Sequence, residues 1–436
     1  MKGISSADLY DLFEKSQWWD EGELLTYQRG MLQALVNHAK DRAPFYSFRL
    51  QSLLSRNGKI DWSVWQTLPI ITRKDVSTHA DKLKALKVPA EHAPVTMATT
   101  SGSTGEPISV LTTNFMRSII SATGWRAQKW YGVDWGERLI TRAYVPSTTL
   151  KTGDIIGSWG PPSVKVSRKG KNIYAYGIDH EQLFDFILAT KPAYISVYGG
   201  SIEILCDISE EKQKNYRIKG IFSRGSMIST ELRERARSVF GADVIEGFAS
   251  QECGSIAHSC PTGAGLHINS ETVFLEIVKD DGAYALPGED GRVVVTPIAS
   301  TAMPFIRYDL GDRAIAGERC GCGRSLPILK SISGRVMHSF RHPDGRVHIG
   351  GRVGPLRPML RASRWQVAQI GATQYEIRYV SDHVIDDETK RVFTEQFKQQ
   401  IFSDSVVIFK KLDEISTPKS GKFIEYINEF SSNDAV

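Results

Sequence analysis

The sequence predicts an α/β protein: a large multi-layer α/β N-terminal domain with a β-rich subdomain, then a small α+β C-terminal domain. Three observations carry that expectation. Strand-like and helix-like segments alternate from Ala193 to Ile245, as in a largely parallel sheet with crossover helices. The run from Val273 to Pro297 is β-rich, punctuated by Asp280-Asp281-Gly282 and Pro287-Gly288-Glu289-Asp290-Gly291. After Ser333-Gly334-Arg335 a shorter series of strands and a helix begins, giving domains of 1–333 and 334–436.

Taken in order, the first ninety residues read mainly as helix. Leu24, Tyr27, Met31 and Leu35 recur at helical spacing, Leu32 and Val36 widen the face, and Pro44 ends the run. Val95-Thr96-Met97-Ala98 and Ile108-Ser109-Val110-Leu111-Thr112 read as strands on either side of Thr99–Pro107. Ala193 to Val197 is strand-like, Ile202 to Leu205 opens a helix, and Gly220 to Ser223 is a strand again. Glu231 to Phe240 is an amphipathic helix with Leu232, Ala236, Val239 and Phe240 on one face. Ser229 or Thr230 is its N-cap and Gly241 its C-cap. Val244-Ile245 starts the next strand. In the second domain, Tyr375 to Tyr379 and Val406 to Phe409 read as strands and Asp386 to Phe402 as a helix.

The chain has 436 residues, 41% hydrophobic and 24% charged, enough apolar material for a large core and unlike a disordered or fibrous sequence. Its net charge of +5 is mild, and no basic stretch is interleaved with aromatics, so nucleic acid is not an expected partner. No stretch approaches the ~20 apolar residues of a membrane span. The N-terminal segment lacks a continuous apolar run, and with an odd five cysteines the chain is much larger than a disulfide-stapled secreted domain. A cytoplasmic, reducing setting without membrane partners is expected.

Two constellations carry chemistry. In Thr99-Thr100-Ser101-Gly102-Ser103-Thr104-Gly105-Glu106-Pro107, small hydroxyl residues and glycines leave backbone N–H groups free to wrap a polyanion. The P-loop spelling is absent and the flanks are strand–loop–strand. The second is a set of thiols and imidazoles: Cys320-x-Cys322 forms a short knuckle, and Cys253, His258, Cys260 and His267 lie upstream. Zinc would take four of these six. Cys206 has no such company and reads as core.

Thr99–Pro107 resembles the phosphate-binding loop of the adenylate-forming (acyl-CoA synthetase-like) superfamily, and four further segments follow in the family's order. Phe248-Ala249-Ser250-Gln251-Glu252 is similar to its Tyr-Gly-x-Ser/Thr-Glu motif, and Arg307-Tyr308-Asp309-Leu310-Gly311-Asp312 to its Arg-Tyr-x-x-Gly-Asp motif. Gly334-Arg335 resembles the pair before the inter-domain hinge, and Thr417-Pro418-Lys419-Ser420-Gly421-Lys422 the segment with the catalytic lysine. The branch resembled is the phenylacetate–CoA ligase group with its CapK-type relatives. Its cues here are Cys320-Gly321-Cys322-Gly323-Arg324, Cys260 followed by Leu266-His267, and Trp365-Gln366-Val367-Ala368-Gln369.

The resemblance implies an ATP-dependent ligase. It would join a carboxylic acid, expected to be aromatic, to AMP with release of pyrophosphate, then pass the acyl group to coenzyme A, an amine or a carrier. Thr100, Ser101, Gly102, Ser103, Thr104 and Gly105 would hold the triphosphate, and Glu252 the Mg²⁺. Phe248 would stack near the adenine, with Arg224, Gly225 and Ser226 along its edge. Asp312 and Arg335 would hold the ribose, and Lys422 would reach the carboxylate and α-phosphate oxygens, with Lys419 its nearest rival. A structural zinc on Cys260, His267, Cys320 and Cys322 follows from the same branch, with Cys253 and His258 in reserve. The aromatic set Trp125, Trp130, Tyr131, Trp135 and Tyr144 would be acyl-pocket wall or, more commonly for such spacing, helical core.

Ala249 and Gln251 depart from the family's motif, and Val336-Met337-His338-Ser339 lacks the paired aspartates of its hinge. The first departure bears on the acyl side of the pocket; the second bears on the domain swing and weakens the case for coenzyme A as acceptor. Two further readings share the fold: an adenylyltransferase placing AMP on a hydroxyl or phosphate, and a non-catalytic nucleotide-binding homologue. A homodimer is left open by the sequence.

Overall fold

The computed structural model describes residues 4–99, 108–143, 149–166, 169–225, 227–335, 339–344, 346–362, 364–415 and 425–430. The chain divides into two compact units, 1–310 with 315–331, and 311–314 with 332–436.

In the first unit, helices α1 (Ser6–Ser16) and α2 (Glu21–Arg42) each begin at a capping box, on Ser5 and Asp20. The buried face of α2 is Leu24, Gln28, Leu32, Leu35, Val36 and Ala39. It is rotated from the expected face: Tyr27 and Met31 stay half-exposed, while Gln28 turns inward because its Nε2 reaches the carbonyls of Ser270 and Val273 at 2.9 and 3.0 Å. Short helices α3 (Arg73–Thr78) and α4 (Ala80–Leu83) follow, then the antiparallel pair β1 (Val95–Thr99) and β2 (Ser109–Thr113), and α5 (Asn114–Trp130).

The sheet that organises the unit is built from β3 (Leu139–Thr141), β4 (Ile155–Ser158), β5 (Lys171–Tyr174), β6 (Tyr194–Tyr198), β7 (Gly220–Arg224) and β8 (Asp243–Ser250). Helices α6 (His180–Thr190), α7 (Gly199–Glu211) and α8 (Thr230–Phe240) connect the later strands. Strands β5, β3, β6, β7 and β8 are parallel in that spatial order, and β4 is antiparallel on the edge. Side chains alternate across the sheet. Ile195, Val197, Ile221 and Val244 pack with Leu183, Phe184, Leu205, Ala236 and Phe240 of α6–α8. Their sequence neighbours Tyr194, Phe222 and Ile245 pack on the other face with Leu9, Phe13, Met116 and Ile119 of α1 and α5. Three layers result because both faces of a parallel sheet must be covered. Ser229 caps α8 and Gly241 ends it at φ 68°, as the sequence indicates.

The sheet continues through β9 (Gly254–Ser259), β10 (Leu266–Ile268), β11 (Val273–Val278), β12 (Asp290–Pro297), β13 (Tyr308–Ala316) and β14 (Ile328–Arg335), in the order β11-β12-β13-β14-β10-β9-β8. The division between units at 331/332 falls inside β14, so the chain passes from one unit to the other along a strand.

In the second unit, a hairpin of β15 (Ser339–Arg341) and β16 (Val347–Ile349) precedes β17 (Arg364–Gln369), β18 (Gln374–Val380), α9 (Asp387–Gln400), β19 (Val406–Lys411) and β20 (Tyr426–Asn428). Sheet order is β19-β18-β17-β20, and α9 lays Phe393 and Phe397 on Trp365, Tyr375 and Ile377. Asp386 caps α9 through its Oδ1, which accepts from the Thr389 N–H at 2.7 Å.

Candidate functional site

Because β3, β6, β7 and β8 run parallel, their carboxyl ends open on one edge of the sheet, where open α/β folds bind ligands. β8 pairs with β7 along its first half and with antiparallel β9 along its second, and the register slips at Phe248/Ala249. Gln251-Glu252-Cys253 forms the turn between them. Gly254, which closes that turn, has φ 71°, and a Cβ there would lie 3.1 Å from Met116 Sδ. The turn holds Glu252 inward: its side chain is 6% exposed and meets Arg73 Nη1 at 3.5 Å. Glu252 lines a small cavity of about 10 Å³, with Thr112, Thr113 and Met116 on one side and Ala299, Ser300, Thr301 and Ala302 on the other. A buried carboxylate with one long cationic contact keeps oxygen lone pairs for a hard cation such as Mg²⁺.

Arg73 escaped the sequence reading. It opens α3 behind a Thr72/Asp75 capping box, but nothing local marks it as the partner of a residue 179 positions away. Thr301 was missed likewise. His38 Nε2 lies 2.8 Å from its carbonyl and His92 Nδ1 2.7 Å from its hydroxyl, so two imidazoles fix the cavity wall. Burial holds the His92 pKa below the ordinary imidazole value.

At the ends of β3 and β7, Arg142 and Arg224 stand together. Arg224 Nη2 donates to the Arg142 carbonyl at 2.8 Å and its guanidinium lies over the Tyr198 ring, 5.7 Å from the centroid. Arg142 Nη2 donates to the Ile178 carbonyl at 2.9 Å. Burial lowers the pKa of both guanidinium groups. Gly225 follows at φ 81°, a backbone that favours glycine, and a Cβ there would sit tightly, 3.1 Å from Tyr198 Cδ1.

Phe248 lies within β8, 8% exposed. Asp312 lies on β13, 7% exposed, after Gly311 at φ 79°, and belongs to the second unit. Arg335 ends β14, where only its backbone is described. Thr100 to Gly105, Ser226, Tyr144, Lys419 and Lys422 lie outside the described residues. The base of the first loop is a β1–β2 pair in register Thr99↔Ser109, the expected strand–loop–strand. Arg307 of the same motif as Asp312 is a buried structural residue. It pairs with Glu276 at 3.1 Å and donates to the carbonyls of Gln66 and Leu68 at 2.6 Å. Of the aromatic set, Trp135 is buried core, with Trp125 and Tyr131 packed against the same cluster.

Among the described thiols and imidazoles, four come together. Cys260, His267, Cys320 and Cys322 present ligand atoms all within 4.8 Å of one another. Cys260 Sγ and Cys320 Sγ are 3.8 Å apart, too far for a disulfide and the separation of two thiolates on a tetrahedral zinc, about 3.8 Å for Zn–S bonds near 2.3 Å. His267 Nδ1 donates to the Leu326 carbonyl at 2.9 Å, which leaves Nε2 as the lone-pair nitrogen, 3.2 Å from Cys322 Sγ. Burial lowers the His267 pKa and so favours the neutral ligand form. Trp130 packs edge-on against His267, and Arg324 lies over the Trp130 ring at 4.8 Å, closing the site. Cys253 and His258 are not in the cluster: the Cys253 N–H is turned to Ser250 Oγ, and His258 is buried against Asn269, its pKa pushed down to about 4 by desolvation. Cys206 is core, with burial pushing its thiol up to about 12.

No protein-family model and no curated protein matches the sequence. Solved structures do match. The chain is similar to 2-hydroxyisobutyryl-CoA ligase in its postadenylation state with an acyl-AMP, with TM-score 0.73 and 17% identity over 95% of this chain and 93% of that one. It is also similar to anthranilate CoA ligase AuaEII with anthranoyl-AMP, with TM-score 0.54 and 13% identity over 75% and 64%. O-succinylbenzoate CoA synthetase from Bacillus subtilis with ATP and magnesium matches with TM-score 0.52 and 14% identity over 76% and 68%.

Proposed function

The chain has the two-domain α/β fold of adenylate-forming acyl-CoA ligases, and from that premise we propose that it activates a carboxylic acid with Mg·ATP, forming acyl-AMP and pyrophosphate. The acyl group would then pass to an acceptor, with coenzyme A the first choice. The observation that carries this reading is the fold match over 95% of the chain to a ligase holding an acyl-adenylate. Five family-like segments in the family's order support it.

The chemistry asks for positioning and charge neutralisation, since two anions must meet. In this reading residues 1–333 bind ATP and the acid, and residues 334–436 form a mobile domain that carries Lys422. Thr100 to Gly105 hold the triphosphate; Phe248, Arg224, Gly225 and Ser226 hold the adenine, and Asp312 and Arg335 the ribose. Glu252 holds Mg²⁺, which neutralises phosphate charge when bound. Lys422 stabilises the charge that builds on the α-phosphorus oxygens as the carboxylate attacks. Zinc on Cys260, His267, Cys320 and Cys322 is structural, since all four ligands come from the protein. The phenylacetate–CoA ligase type, with an aromatic acid, is the branch that the Cys-Gly-Cys-Gly-Arg knuckle supports. Among the described residues no helix is long and apolar enough to cross a membrane, and we place the enzyme in the cytoplasm.

Acid-dependent ATP–pyrophosphate exchange tests the proposal, run with Mg²⁺ against aromatic, aliphatic and amino acids. Exchange with an acid is the expected result. Silence across the panel from folded, zinc-replete protein would reject acyl-adenylate formation, and a product that retains AMP would identify the adenylyltransferase reading instead.

A further inference from the structure

We propose that Arg142 and Arg224 form an anion-binding pair that selects an acid substrate with a second anionic group, carboxylate or phosphate, besides the carboxylate that is activated. The inference rests on the acyl-adenylation reading and names its substrate class.

The pair sits where a ligand is expected. From β3 the chain runs to β5 on one side and then returns to β6 on the other, so the connections diverge at β3 and a crevice opens at its carboxyl end. Arg142 is the first residue after β3, and Arg224 is the last of β7, two strands away.

The pair also differs from Arg126, Arg307 and Arg233, buried or half-buried arginines that each meet a carboxylate. Arg126 is matched by Glu271, Arg307 by Glu276 and Arg233 by Glu246. Among the described residues, Arg142 and Arg224 make no ion pair; their hydrogen bonds go to neutral carbonyls. Among the described residues, Arg142 Nη1, Arg224 Nε and the neighbouring Ser223 Oγ are buried atoms without a hydrogen-bond partner. Arg142 feels Tyr176 and, more weakly, Asp179, whose carboxylate caps α6, accepting from the Gln182 N–H at 2.7 Å. Two desolvated guanidinium groups without a counter-ion are costly in an isolated protein. A carboxylate or phosphate supplies the missing charge and accepts the idle N–H groups in bidentate fashion. Adenine, expected along Arg224, is neutral and supplies neither.

The test compares matched acids in the exchange assay: succinate with butyrate, phthalate with benzoate, and 3-phosphoglycerate with glycerate. Wild type is run beside Arg142→Gln, Arg224→Gln and the charge-retaining Arg142→Lys. We expect one dianionic acid to exceed its monoanionic partner by about tenfold or more in kcat/KM, a difference of about 1.4 kcal/mol or more. Each Gln variant should erase that ratio, Arg142→Lys should keep part of it, and Arg142→Gln should leave KM for ATP unchanged. In parallel, the same dianions without ATP should raise the melting temperature of wild type and not of Arg142→Gln. Equal rates with mono- and dianionic acids, unchanged in the variants, would overturn the pair and leave acyl-adenylation standing. A rise in KM for ATP with an unchanged acid ratio would assign the arginines to the nucleotide and overturn the proposal. A thermal shift lost in Arg142→Gln, with no exchange by any acid, would keep the anion site and reject the adenylation reading. Neither shift nor exchange would overturn both.

Discussion

Glu246 shows how a single buried charge can set the behaviour of a neighbouring loop. It is 1% exposed in β8, pairs with Arg233, and accepts the Ile228 N–H at 2.8 Å, anchoring the segment that follows Arg224-Gly225. Desolvation raises its pKa to about 7 from an ordinary value of 4.5, against the opposing pull of Arg233 and the Ile228 N–H. With the folded value above the unfolded one, the native state binds more protons between pH 4.5 and 7. Stability from this group is therefore full below about 4.5 and lost as pH rises through 7, by up to about 3 kcal/mol. His258, His92 and His267, held below the ordinary imidazole value by burial, push the other way over the same range, so the expected outcome is a difference between proteins: from pH 5 to pH 8 the urea midpoint of Glu246→Gln should rise relative to that of wild type. An equally steep slope in the variant would show that other groups set it. At this scale the sequence was legible only where a motif carried the residue. Glu252 could be named from its neighbours, whereas Arg73, Thr301 and Arg142 gain meaning from partners far along the chain.

Elements were far more legible than residues, because periodicity and caps are local. The Ser229 cap, the Gly241 stop and the β1–β2 flanks all follow from spacing and turn chemistry. The face of α2 did not, since Gln28 is drawn inward by carbonyls of the β10–β11 segment that no local pattern announces. The cysteine knuckle lies between these cases: Cys320-x-Cys322 is visible in the sequence, but choosing among four upstream donors needs the hairpin and loop that bring Cys260 and His267 to it. The Cys322 N–H donates to Cys320 Sγ at 3.4 Å, and both thiols pack with Ile328 of β14. A cation there would tie the loop before β14 to the β9–β10 hairpin. One zinc per chain is therefore expected by elemental analysis, and Cys322→Ser should lose it and lower the melting temperature by about 10 °C. Cys253→Ser, outside the cluster, should keep both metal and melting temperature. Retention of zinc in Cys322→Ser would remove that cysteine from the ligand set.

At the scale of the whole chain, the three-layer unit and the smaller sheet unit follow from the alternation of apolar patterns, while the substrate does not, because pocket shape comes from loops and not from periodicity. The role of Lys422 belongs to this scale, since it rests on the order of five segments across the chain and not on any one neighbourhood. A lysine that meets charge only as the carboxylate attacks phosphorus stabilises the transition state and not bound ATP. Lys422→Ala should therefore lower the exchange kcat by about 100-fold or more, with KM for ATP little changed, whereas a lysine that merely bound the triphosphate would raise KM. Lys419→Ala, three residues away in the same segment, should retain exchange. Wild-type exchange in Lys422→Ala, or the loss appearing in Lys419→Ala instead, would reassign the catalytic cation while leaving the fold and the ordered motifs intact.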